Sequence, residues 1–300
     1  MQLKYSIAVF LAAAFWGLYW WPLRAIESIG VTAQWSVLAI YVVPLLTLLP
    51  YTFVKRKEFV KHWRTLLFIG AAAGAGLSCY ATAFLYTSVV RTVLLFYMMP
   101  VWATLMAIVF LNERNSPRRW MAMLTGFAGL SLMLFTSSDT QAGIPFSVGD
   151  FIALLSGIFW GMGTVLIRRS PSIEPMTIVP AQYLFAFVLS VVFLFTLSPA
   201  APLPPVSAWI SALPYLIGFY VLIVLPTLYV CALGSQVLSP GRIGILMMSE
   251  VLVAGLSAPL LAGESLSLRE IIAALLIILA GVIEVFSPTA SDNKPLTSTE

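Results

Sequence analysis

Charge is what this chain has least of. Only 9% of its 300 residues are Asp, Glu, Lys or Arg, against 60% that are hydrophobic. A soluble domain keeps about a quarter of its residues charged, so an ordinary fold surrounded by water is excluded. Histidine is nearly absent. His62 stands alone, inside the basic stretch 55–64, so no second imidazole can share a metal ion and no Ser-His-Asp set can be assembled within the apolar segments. Gly74-Ala75-Gly76 lacks the strand-to-helix setting and the lysine of a phosphate loop. Paired aspartates for intramembrane proteolysis are missing too, because Asp139, Asp150 and Asp292 fall in loops or at segment edges. Neither an enzyme, nor a metal centre, nor a bound cofactor is expected. Cys79 and Cys231 both lie inside apolar runs and read as small buried hydrophobes, with no disulfide framework.

Long apolar runs fill the space that charge leaves. The mean hydropathy is +0.98, and the runs extend for about 18–25 residues without strand-like alternation, the length of helices that cross hydrocarbon. Spans are expected near 5–24, 33–54, 66–90, 92–112, 120–137, 150–168, 176–198, 207–233, 242–262 and 269–287. The fold class is therefore an all-α polytopic membrane protein of ten transmembrane helices. A secretory signal over 1–24 is the competing reading of the first run, but that run is as long as a full span and has a counterpart at 150–168.

Counterparts recur along the chain. Arg91, Glu113 and Arg118 return as Arg242, Glu264 and Arg269, each 151 positions later. Phe15-Trp16-Gly17 returns as Phe159-Trp160-Gly161, and Arg24 as Arg168, 144 positions later. Two copies of one five-helix unit follow: residues 1–137 and 150–287, joined by an external linker over 138–149 and followed by a polar, disordered cytoplasmic tail over 288–300. With the N-terminus in the cytoplasm, 13 of the 16 Lys and Arg residues fall on the inner side and only Arg24, Arg91 and Arg269 on the outer. Both ends are then cytoplasmic, and an odd number of helices per unit inverts the second copy. A bacterial inner membrane is the expected location. The net charge of +4 is a topology signal and a possible contact for anionic lipid, not a nucleic-acid footprint. Internal repeats in a polytopic membrane protein point first to a transporter. Gly70…Gly74 and Gly157…Gly161 carry the spacing that lets helices pack closely, whether static or sliding.

One charge lies deep. Glu250 is eight residues into the ninth span, about 12 Å along its axis, and such a carboxylate usually faces a cavity or the bundle interior. It reads as a proton-coupling or substrate-amine site, or else as a structural hydrogen-bonding group. Glu284, Arg24 and Arg91 sit near span ends, where snorkelling to the interface is the default. Arg91 and its repeat partner Arg242 could instead flank alternating gates. Aromatic residues supply the rest of a cavity: Trp16 and Trp160 beside Gly17 and Gly161, Trp102 two residues beyond Pro100, with Tyr80, Tyr97 and Tyr220. Trp20, Trp21, Tyr86, Tyr183, Phe219 and Tyr229 add to the supply. Pro100 frees a backbone carbonyl in its helix.

These residues carry a resemblance. Tyr97-Met98-Met99-Pro100-Val101-Trp102, followed by Leu111-Asn112-Glu113-Arg114, and later Gly263-Glu264-Ser265-Leu266, resemble the drug/metabolite transporter superfamily, closest to its EamA-like permeases. The usual Gly of the first motif is replaced by Asn112, and Val251 follows Glu250 where many members show proline, with Pro259 arriving later. The resemblance implies a basket of two inverted halves around a central cavity, lined or supported by Tyr97, Pro100, Trp102 and Glu250, and alternating access for a small organic metabolite. An amino acid or related compound, moved outward or exchanged, is the leading expectation, with protons and the lipid bilayer as further partners. A proton-independent facilitator, an importer of a vitamin, nucleoside or sugar, and a membrane scaffold are the alternatives. Oligomeric state is open.

Overall fold

The computed structural model describes residues 2–87, 89–113, 116–134, 146–254 and 268–286. Arg114, residues 138–145 of the linker, the far part of the ninth span with Pro259, the Gly263–Leu266 motif with Glu264, and the tail lie outside them, as does the side chain of Trp20. Among the described residues every regular element is helical. In sequence order they are α1 (Gln2–Trp16), α2 (Trp20–Ser28), α3 (Gln34–Val54), α4 (Arg56–Lys61), α5 (Trp63–Tyr86), α6 (Val89–Phe96), α7 (Met99–Leu111), α8 (Pro117–Leu134), α9 (Val148–Arg168), α10 (Pro175–Leu197) and α11 (Val206–Tyr215). A π-helical stretch (Leu216–Val224), α12 (Leu225–Val237), α13 (Pro240–Met247), a helical stretch at 249–254 and α14 (Leu268–Val285) complete the chain.

Among the described residues seven helical segments are long and apolar enough to cross a bilayer, running from Gln2–Ser28 through Val206–Val237. Two of the ten expected spans lie only partly within the described residues, the fifth to Leu134 as α8 and the ninth to Ala254, and neither is among these seven. The tenth is a shorter apolar helix at Ile271–Val285. Large apolar side chains cover the outside: Phe53, Phe195 and Leu222 are 73%, 72% and 66% exposed. A water-soluble protein does not display such surface, whereas lipid accepts it.

Three segments break where the interior needs them broken. The first span stops at Trp16 and restarts at Trp20, with tight i→i+3 bonds through Gly17, Leu18 and Tyr19. Pro22 lacks the amide that would have met the Leu18 carbonyl, and Trp21 takes that carbonyl instead, at 3.2 Å. The fourth span breaks at Tyr97-Met98, just before Pro100. The ninth breaks at Met248, and no proline causes it. There the Val251 amide bonds the Met248 carbonyl at 3.0 Å, so the Met247 carbonyl loses its regular helical donor. Val251 therefore does not straighten this helix.

Candidate functional site

The breaks converge on Glu250, which is only 6% exposed. Its Oε1 accepts a hydrogen bond from the Tyr80 hydroxyl at 2.8 Å, and its Oε2 accepts one from the Tyr97 hydroxyl at 2.6 Å. Tyr97 also lies 2.8 Å from the carbonyl that the ninth-span break sets loose, that of Met247. Tyr97 can make both contacts because it sits in the break between α6 and α7. Gly17 lets the first span cross directly over this point, since a Cβ there would collide with the Glu250 carbonyl.

One small cavity adjoins the carboxyl and a second shares part of its wall. Trp16, Leu77, Tyr80, Phe96, Trp160, Met247 and Glu250 are among the walls of one. The other is walled by Trp16, Tyr19, Tyr41, Tyr80, Tyr183 and Tyr220 together with Ile40, Leu77, Val224 and Leu228. Trp16, Leu77 and Tyr80 border both. Each holds about 10 Å³ of free space, room for roughly one water. Trp16 and Trp160 meet edge to face at 5.9 Å, and Trp160 points its indole N–H at the Met247 sulfur, 3.3 Å away. Tyr220 is carried inward by the π-helical stretch, a distortion frequent at functional sites.

Of the residues expected from sequence, Trp16, Tyr80, Tyr97, Trp160, Tyr220 and Glu250 are thus brought together. Pro100 is not among the cavity walls: it packs against Gly244, where a Cβ would come within 2.9 Å of it, and so fastens α7 to α13. Trp102 is half-buried, lines neither cavity, and its indole N–H has no hydrogen-bond partner. The sequence singles out neither Tyr19, nor Tyr41, nor Met247, and offers Tyr183 only as part of the aromatic supply. For Tyr19 a signal existed, since it follows Trp16 by three residues. Tyr41 and Tyr183, with rings 6.4 Å apart, stand in apolar surroundings that give no such hint.

The sequence profile of the EamA-like transporter family matches residues 3–135 and again residues 147–286. The chain belongs to the EamA-like transporter family. It is thereby a member of the drug/metabolite transporter superfamily. A protein of Acidianus ambivalens described as an uncharacterized transporter is 28% identical over 123 residues, 41% of this chain and 45% of its own length. A riboflavin transporter of Rhizobium johnstonii is 30% identical over 117 residues, 39% of this chain and 37% of its own. The chain therefore spans less than half the length of these curated relatives. One solved crystal structure superposes with a TM-score of 0.71 over 93% of this chain and 96% of its own, at 17% identity, which speaks for the fold alone.

This EamA-family chain carries ion pairs at both ends of α9. Arg91 meets Asp150 at 2.7 Å, and Asp150 also accepts from Thr87 and from the Ser147 amide, completing the capping box in which Ser147 is the N-cap of α9. At the far end of α9, about 30 Å away by helical rise, Arg168 bonds the Gln236 carbonyl at 2.5 Å. Beside it Arg242 and Arg119 enclose Glu284 at 3.4 and 3.2 Å. Glu284 does not snorkel. Its side chain is 0% exposed, because two guanidinium groups compensate the buried charge. Arg242 also reaches Gln2 at 3.1 Å and the carbonyls of Glu284 and Val285. Arg91 likewise is held by a carboxylate rather than drawn toward an interface. Between α7 and α9, Glu113 faces Arg168 at 3.7 Å, and burial raises its carboxyl above the usual range despite that cation.

Proposed function

We propose that this chain is a secondary transporter carrying a small organic metabolite across a bacterial inner membrane by alternating access. In this reading ten helices form two inverted five-helix repeats, both termini are cytoplasmic, and the site is the aromatic cavity beside Glu250. Export or exchange of an amino acid or related compound is the expectation carried from sequence.

Several observations support two inverted units. The family profile matches twice. The packing partners also correspond: α1 packs on α12 and α13, as α9 packs on α5 and α7, while α3 joins α10 and α8 joins α14. Gly17 meets Ala254 and Gly161 meets Ala103, which are equivalent contacts at the two repeat offsets. The paired arginines Arg91 and Arg242 lie toward opposite ends of α9, as gates related by inversion would.

The observation that carries the mechanism is a count of hydrogens. Glu250, Tyr80, Tyr97 and the Met247 carbonyl make three short oxygen–oxygen contacts. With Glu250 ionised, two hydroxyl hydrogens must serve all three. With Glu250 protonated, its own hydrogen serves Tyr97, and Tyr97 is released to serve Met247. Gain or loss of one proton thus changes what fastens the fourth-span break to the ninth-span break, which is how a proton would bias the two faces of the carrier. A facilitator without coupling would use the same cavity and leave this arrangement structural. The R. johnstonii relative favours a second substrate reading, a vitamin rather than an amino acid.

Counterflow in proteoliposomes tests the proposal with labelled amino acids, vitamins, nucleosides and sugars. Saturable exchange of one class is expected. Silence across the panel from correctly folded protein would favour the scaffold reading.

A further inference from the structure

The walls of the tyrosine cavity have an uneven supply of partners. Tyr80 gives its hydrogen to Glu250, Tyr41 gives its own to the Leu77 carbonyl at 2.6 Å, and Tyr220 reaches the Tyr19 carbonyl at 3.4 Å. The Tyr19 hydroxyl is not among the buried groups without a partner. Two groups are left over. The Trp16 indole N–H and the Tyr183 hydroxyl have no partner, although these residues are 5% and 1% exposed. Buried polar groups are nearly always satisfied, so two orphans bordering one cavity call for a ligand. Trp16 can only donate, so that ligand must accept.

The charges narrow the class. Among the described residues lining the two cavities none is basic, so a free carboxylate would enter without a counter-ion. None of the residues lining the tyrosine cavity is acidic either, since Glu250 lines only its neighbour, so an ammonium group there would also lack a counter-ion. Six aromatic rings offer flat apolar faces, which suit another ring better than a sugar.

We infer that this cavity binds a neutral, planar heteroaromatic ring system whose edge carries carbonyl or ring-nitrogen acceptors for Trp16 and Tyr183. The inference rests on the cavity being the transport site, and it departs from the amino-acid expectation. The free space must widen to admit such a ring. Its walls come from α1, the break after it, α3, α5, α10, the π-helical stretch and α12, so separating those segments spreads the aromatic faces without unfolding any of them.

Counterflow with four probes tests this: quinazoline-2,4-dione as acceptor-bearing ring, indole as a ring that only donates, phenethylammonium and phenylalanine. The dione is expected to exchange saturably. Trp16→Phe and Tyr183→Phe, each confirmed as monodisperse in detergent, are each expected to raise its half-saturation concentration about tenfold, the worth of one hydrogen bond at the strong end of the usual range. Having both variants keeps the test open if one misfolds. Unchanged half-saturation in folded variants would overturn the assignment of the two donors. Preferred exchange of phenethylammonium or phenylalanine would overturn the substrate class while leaving transport intact. Silence from all four probes overturns the class as well. Only if the wider metabolite panel is also silent does the transport reading fall with it.

Discussion

Tyr97 has one hydroxyl hydrogen and two acceptors within 2.8 Å, the Glu250 carboxyl and the Met247 carbonyl. Tyr80 has the carboxyl alone. Removing the two hydroxyls will therefore differ in effect. Tyr97→Phe is expected to slow transport more than Tyr80→Phe, at equal expression, in a radiolabel exchange assay. Asn112 is a second residue whose conformation explains its identity. It ends α7 in the left-handed region, at φ 52° and ψ 31°, where glycine is free and asparagine is tolerated. Asn112→Gly will leave thermal stability within a few tenths of a kcal/mol, and Asn112→Val will lower it by about 1–2 kcal/mol. The departure from the family motif was legible in sequence. Its harmlessness was not, because it depends on one dihedral pair. Glu250 was legible for the opposite reason, since a lone deep carboxylate stands out against apolar neighbours. Its two tyrosine donors come from other spans, and no spacing rule joins Tyr80 and Tyr97 to position 250.

Broken helices distinguish this interior from a bundle of straight rods. Proline accompanies two of the three breaks, Pro22 and Pro100, of which only Pro100 stands out in the sequence, while the break at Met248 has no local sign. It shows only in a chain of i→i+3 bonds and in the tyrosine that takes the released carbonyl. Because the break already exists, Val251→Pro removes a single bond and will cost about 1 kcal/mol in a detergent melt, whereas Ile158→Pro in the unbroken α9 will cost about 3 kcal/mol or more. Glycine at the crossings is graded in the same way. A Cβ at Gly17 would strike the Glu250 backbone, while one at Gly161 would sit 3.2 Å from the Ala103 amide. Gly17→Ala is accordingly expected to lose folded protein that Gly161→Ala retains, measured by size-exclusion chromatography.

For the molecule as a whole, composition and repeated charges made the helical membrane class readable. The tyrosine cavity was hidden, because it forms only where five widely separated stretches meet. Ion pairs differ toward the two ends of α9: one arginine on a capping-box aspartate at one end, two arginines around a fully buried glutamate near the other. Glu284→Ala leaves both guanidinium groups without their carboxylate and will cost about 3–5 kcal/mol, the usual result of breaking a buried pair. The most direct test of the central claim is transport of the identified substrate against its own gradient, driven by an imposed pH difference, in the wild type and in Glu250→Gln. The account predicts proton-driven accumulation in the wild type, and in the variant exchange that persists but ignores the pH difference. Equal accumulation in both proteins would contradict it and leave Glu250 a structural residue.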